Sequence, residues 1–192
     1  LTLKDVSGNM TIADQKVTLQ NVKTSIFGGQ IGFNGAVSTK TAVPVYNMNM
    51  NLSQVDIAQS FTQLDMLKKI APIAGIINGK FNSNINLKGN LNAAMKPDLN
   101  KMTGDLLGQL ASSSINASNS TLLTALTSNI KFLDLSKINL NAIKAKLTFE
   151  NGKVHVKPFD VKYQDTKVTI DGSHGFDQNM NYNLKFDVPA KY

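Results

Sequence analysis

The stretch KFNSNINLKGNL at residues 80–91 keeps its apolar residues on alternate positions and fills the positions between them with asparagine or lysine. Phe81, Ile85, Leu87 and Leu91 share one side, and Asn82, Asn84, Asn86, Lys88 and Asn90 share the other. Successive side chains of a strand point to opposite faces, so this spacing specifies a β-strand with one dry face and one wet face. The same period returns along the chain: Val17 and Leu19; Ile31, Phe33 and Val37; Val154 and Val156; Val168 and Ile170; and Met180, Tyr182, Leu184, Phe186 and Val188. Strands of a fully buried parallel sheet read instead as continuous apolar runs, which points here to antiparallel pairing. Asparagine is a poor strand former, so its outer positions are expected to serve only solubility and discouragement of edge pairing.

The two ends of the chain carry the same pattern. With Leu1 laid on Ile138, Leu19 meets Val156, Val22 meets Phe159, Ile31 meets Val168, Phe33 meets Ile170 and Gly35 meets Gly172 without a gap. After a short insertion around TKTAV in the first copy, Asn47-Met48-Asn49 aligns with Asn179-Met180-Asn181, and Leu52 with Leu184. The expectation is one domain over residues 1–192, with a repeated β-meander at 1–53 and 138–188 and a helical and hairpin insert at 54–137. Asn151-Gly152 is a two-residue hairpin turn signal.

Within the insert, Val55, Ala58, Phe61, Leu64, Leu67 and Ile70 recur at the spacing of a helical stripe, with Ser53 or Asp56 as N-cap and Pro72 and Gly75 as the stop. A weaker stripe, Leu122, Leu123, Leu126, Ile130 and Leu133, predicts a second short helix. The fold class is therefore mainly β with a few helices (α+β). Two related antiparallel meanders are expected to form a curved sheet, groove or partly open barrel, with amphipathic helices between them.

Composition narrows the function classes. The 192 residues are 42% hydrophobic and carry a net charge of +7, all of the positive side-chain charge being lysine. With no arginine and no tryptophan, the chain lacks the residues that nucleic-acid readers use for bidentate base contacts and stacking, so no nucleic-acid partner is expected. There is no cysteine, which removes disulfides and thiolate metal sites. His155 alternates with Val154 and Val156 on the wet side, and His174 takes the slot that Val37 holds in the first copy. Neither has a partner at ligand spacing, so both are expected at surface or rim positions, with no metal and no cofactor. The FGGQIGFNG stretch at 27–35 lacks a following GK[ST] and sits inside alternating strand, which makes it a tight turn with close backbone approach and not a phosphate loop. No carboxylate pair, nucleophile elbow or ligand cluster gives an enzyme residues to stand on. The longest apolar patch, residues 70–77, is too short to span a bilayer and is interrupted by Pro72 and Gly75. Residue 1 enters the alternation directly, so the sequence is expected to be a piece of a longer protein.

Taken in order, the segments VTLQNVKTSIFGGQIGFNGAVS, NMNMNLSQVDIAQSF, INGKFNSNINLKGNLNAAMKPDLNKMTGDL and LTFENGKVHVKPFDVKYQDTKVTIDGSHGFDQNMNYNLKFDVP resemble the C-terminal region of the AsmA family of Gram-negative bacteria. The resemblance implies a periplasmic protein tethered to the inner membrane through an N-terminal segment missing from this chain. It also implies a role in outer-membrane biogenesis and, as in larger relatives, lipid transport along a β-groove.

A curved sheet that is polar outside and apolar inside can hold acyl chains if the protein does not fill its own inner face. The candidate lining is Val17, Leu19, Ile31, Phe33, Val154, Val156, Val168, Ile170, Leu184 and Phe186. The same ten residues serve equally as a packed core between the meanders, which would make the domain a structural scaffold or protein-interaction module in outer-membrane protein assembly. Expected partners are lipid acyl chains, neighbouring domains of the full-length protein, and outer-membrane assembly proteins.

Overall fold

The computed structural model describes residues 2–115, 138–141, 143–177 and 179–189. Its strands are β1 (Lys4–Ala13), β2 (Lys16–Ile26), β3 (Gly29–Ser38), β4 (Val45–Asp56), β5 (Ile77–Asn90), β6 (Thr103–Ile115), β7 (Ile138–Asn139), β8 (Lys144–Glu150), β9 (Lys153–Tyr163), β10 (Thr166–Gly175) and β11 (Met180–Asp187). Between β4 and β5 lie two short helices, α1 (Ile57–Gln63) and α2 (Asp65–Ile70). The described strands form one antiparallel sheet in the order β1-β2-β3-β4-β5-β6-β8-β9-β10-β11, with β7 paired to β9. The sheet is open and curved and does not close into a barrel. Its middle hairpin, β5-β6, pairs with β4 on one side and β8 on the other, joining the two end meanders into a single surface.

Tight turns follow from local chemistry. Asn151 and Gly152 both have positive φ, as do Asp14 and Gln15, and Phe27 and Gly28. Two successive left-handed residues make the turn whose twist matches the flanking strands. The 27–35 glycine stretch is thus the β2–β3 hairpin. A Cβ on Gly29 would lie 2.5 Å from the Gln54 carbonyl oxygen, the close backbone approach that the glycine permits.

Curvature has its own devices. Register shifts break the β2–β3 ladder between Leu19 and Val22, the β4–β5 ladder between Leu52 and Val55, and the β9–β10 ladder between Ile170 and Gly172. Each inserted residue bends its strand and increases local twist. Two of these bulges hold a residue with positive φ, Asn21 and Gln54. Their amides are satisfied from the neighbouring strand: Asn21 N–H donates to Asn34 Oδ1 at 2.7 Å, and Gln54 N–H to Asn82 Oδ1 at 2.8 Å. Farther along, Asn49 donates to Asn86 Oδ1 and Asn51 to Asn84 Oδ1, both at 2.6 Å, while Asn86 donates in turn to Asp105. The outer asparagines therefore do more than keep the face wet. They bridge strands and close the hydrogen bonds that bulges leave open.

The helical segment departs from the predicted phase. Val55 still belongs to β4, and α1 starts at Ile57 with Asp56 as N-cap, its carboxylate accepting from Gln59 N–H at 2.8 Å. Ile57 and Ser60 are buried and Ala58 is exposed. The chain leaves helical geometry at Leu64, restarts as α2, and passes into a short 3-10 turn at Pro72–Ile76. The stripe predicted at Leu122, Leu123, Leu126, Ile130 and Leu133 lies outside the described residues.

Candidate functional site: one apolar face with a covered centre

Cross-strand partners share a face, so the registers trace the inner surface. Val22 faces Phe33, Phe33 faces Met50, Met50 faces Ile85 and Ile85 faces Leu106. Leu106 then faces Leu147, Leu147 faces Val156, Val156 faces Gly172 and Gly172 faces Tyr182. A single row crosses the sheet without a charged side chain. The other candidates fall on the same surface: Val17 opposite Val37, Leu19 opposite Gly35, Ile31 opposite Leu52, Val154 opposite Phe149, Ile170 opposite Leu184, and Val168 opposite Phe186. All ten residues singled out by alternation lie on one face.

That face is not uniform. Over its middle, two clusters of side chains are packed by the protein itself. One holds Ile26, Phe27, Leu52 and Val55, with Leu64 against it. The other holds Ile70, Met102, Phe149 and Val154, with Phe176 against it. Val154 has no exposed surface and Val168 is 7% exposed, so these two are core residues and not lining. Val154 stands where Ile70, at the end of α2, packs onto the sheet. Val17, Leu19, Ile31, Phe33, Val156 and Ile170 are half-buried, whereas Leu184 and Phe186 are exposed at 55% and 58%.

Exposed apolar residues gather at the two flanks. On β1, Val6, Met10 and Ile12 are all more than half exposed, Met10 facing Leu19 and Ile12 facing Val17. On β11 and just beyond it, Met180, Leu184, Phe186 and Val188 are open in the same way. These residues extend the inner row past the helices and the polypeptide leaves them uncovered among the described residues. Val6, Met10 and Ile12 stand on alternate positions, so β1, missing from the candidate lining, carries the same signal that marked the other strands.

His174 joins the covered centre to the β11 flank. Expected at the rim, it is 4% exposed and opposite Val154. One ring nitrogen, Nε2, lies 2.9 Å from the Ile70 carbonyl oxygen at the end of α2, and Nδ1 lies 2.8 Å from the Tyr182 hydroxyl. A carbonyl only accepts, so Nε2 carries a proton, while the Tyr182 hydroxyl, able to donate or accept, partners Nδ1. Burial raises the Tyr182 pKa above its ordinary value. The histidine is a latch between helix and sheet, buried because it occupies an apolar-face slot and tolerated because both ring nitrogens are satisfied.

At the end of the face nearest the Phe27–Gly28 turn, a cavity of about 630 Å³ opens beside α1. Ile26 and Phe27 give it an apolar floor, and Lys4, Gln30, Gln59 and Gln63 contribute polar groups to its walls. Among the described residues no three His, Asp or Glu side chains are gathered as a metal site would need, and no helix is long and apolar enough to cross a membrane. No protein-family model, curated protein or solved structure matches the chain.

Proposed function

We propose that this domain is a non-enzymatic periplasmic element of outer-membrane biogenesis that holds or passes lipid acyl chains on its apolar face. The observation that carries the reading is the pair of open flanks, Val6, Met10 and Ile12 on one side and Leu184, Phe186 and Val188 on the other, continuous in register with a face that lacks charge. Full burial of a methylene stabilises by roughly 0.8 kcal/mol, so a sixteen-carbon chain half-buried against such a surface gains on the order of 6 kcal/mol before the cost of ordering it. The contact is non-directional, which lets a chain slide along the row. The cavity beside α1 gives a polar headgroup a place at the end of the face, with the Lys4 ammonium available to an anionic group.

A second reading, a scaffold or interaction module in outer-membrane protein assembly, is favoured by the packed centre, where Val154 and Val55 are fully enclosed. Titration of the detergent-free protein with a fluorescent fatty acid separates the two. The acyl-chain reading expects saturable binding that falls at least fivefold in a Leu184→Asp, Phe186→Asp double variant retaining its circular dichroism and melting cooperativity. Absence of saturable binding, or binding unchanged in that folded variant, would favour the scaffold.

A further inference from the structure

The two edges of the sheet are built differently. At β1, register shifts interrupt pairing between Lys4 and Ser7 and again between Ser7 and Asn9. Asp5 and Gly8 there have φ of 54° and 138°. Such an edge is bulged and charged, and resists a further strand. At the other edge, β11 pairs with β10 through eight consecutive residues, from Met180 to Asp187, with no shift. Among the described residues β10 is its sole strand neighbour, which leaves a straight ladder edge.

The internal repeat says what such an edge is made for. Leu19 faces Gly35 and Val22 faces Phe33 in the first meander; Val156 faces Gly172 and Phe159 faces Ile170 in the second. Gly35 then faces Met48, and Gly172 faces Tyr182. The strand β11 therefore occupies the place of β4, with Tyr182 standing where Met48 stands and Asn183 where Asn49 stands. This sets the two asparagine strands two residues out of step with their sequence alignment, a slip that a period-two pattern conceals because it keeps every face. In the first meander the outer edge of β4 is occupied by β5, and Asn49 bonds across it to Asn86.

We propose that this edge of β11, unpaired among the described residues, pairs antiparallel with β11 of a second copy of this chain, centred on Asn183. In that register Tyr182 stands opposite Leu184 and Met180 opposite Phe186, so both inner faces remain apolar. On the outer side Asn181 stands opposite Lys185, Asn179 opposite Asp187, and Asn183 opposite its own counterpart. No two charged β11 side chains stand directly opposite each other, and Asn183, which donates to Asp171 as Asn86 donates to Asp105, is placed to repeat the amide–amide contact that Asn49 makes with Asn86. The two-fold arrangement is closed, so it stops at a dimer. It also joins the two apolar faces edge to edge, which gives the acyl-chain reading a longer track, although pairing stands independently of lipid. An eight-residue strand pair buries far less than the roughly 1,200 Å² typical of stable complexes, so the dimer is expected near micromolar concentrations or above.

The absence of cysteine makes the test direct. An Asn183→Cys variant under mild oxidation is expected to give a covalent dimer at least tenfold faster than Asn9→Cys on the bulged β1 edge. In sedimentation velocity of lipid-free protein, Asn181→Lys, which sets two lysines across the interface twice, is expected to weaken association, and Asn181→Asp to tighten it, both effects shrinking in high salt. A monomer at hundreds of micromolar, or a dimer indifferent to both Asn181 variants with no faster crosslinking at residue 183, would overturn the proposal. Either result would leave fatty-acid binding by the monomer open to its own measurement.

Discussion

Val154 and Leu184 lie on the same face of the sheet, and their truncations should differ in proportion to what covers them. Val154→Ala removes two carbon groups from a side chain with no exposed surface, packed among Ile70, Met102 and Phe149. Lost transfer energy at roughly 0.8 kcal/mol per group gives about 1.6 kcal/mol. A residual cavity of about 50 Å³ at roughly 24 cal/mol per Å³ adds about 1.2, for a total near 3 kcal/mol. Leu184→Ala removes three groups, but the side chain is 55% exposed, and solvent fills the space left behind. The buried remainder gives about 1 kcal/mol with no cavity contribution. Urea unfolding followed by circular dichroism measures both. With a slope of about 2 kcal/mol per molar, the midpoint should fall by about 1.4 M for Val154→Ala and about 0.5 M for Leu184→Ala. Equal losses would refute the division of the face into a covered centre and an open flank.

Other expectations follow from single sites. Among the described residues the buried Tyr46 hydroxyl has no hydrogen-bond partner, and burial, with a contribution from Asp98, raises its pKa; Tyr46→Phe should therefore raise stability by about 1 kcal/mol in the same urea assay. His174→Ala strips the Ile70 carbonyl and the Tyr182 hydroxyl of their partner and should cost about 2–3 kcal/mol, with faster amide exchange in α2 than in β5. Gly172 has φ of 150°, and a Cβ there would lie 2.7 Å from Tyr182 Cα, so Gly172→Val should lower the melting temperature by several degrees and loosen β11 first in hydrogen exchange.

The strands and their facing were legible because a period of two leaves little choice: Phe33, Val156 and Leu184 each had to share a side with their alternating neighbours. The hairpin turn at Asn151-Gly152 and the Asp56 cap were equally local signals. What escaped the sequence was set by contacts between distant segments. His174 was placed at the rim because nothing local shows that the end of α2 reaches it, and Val154 and Val168 looked like lining for the same reason. The helix was misphased at its start because Val55 fits both a helical stripe and the bulged end of β4, and pairing with Phe81 decides for the strand. The asparagines were read as passive since composition alone cannot show that Asn34 and Asn82 reach across to bulge amides. The two-residue slip between β4 and β11 was invisible in principle, as alternation repeats at that interval.

The most direct test of the account is mass spectrometry of an organic extract of the protein purified without detergent, beside the Leu184→Asp, Phe186→Asp variant handled identically. The account predicts near-stoichiometric phospholipid or fatty acid with the unmodified chain and a large loss with the folded variant. A well-folded, unmodified protein that carries no lipid, and that also takes up none on incubation with anionic phospholipid vesicles, would contradict it.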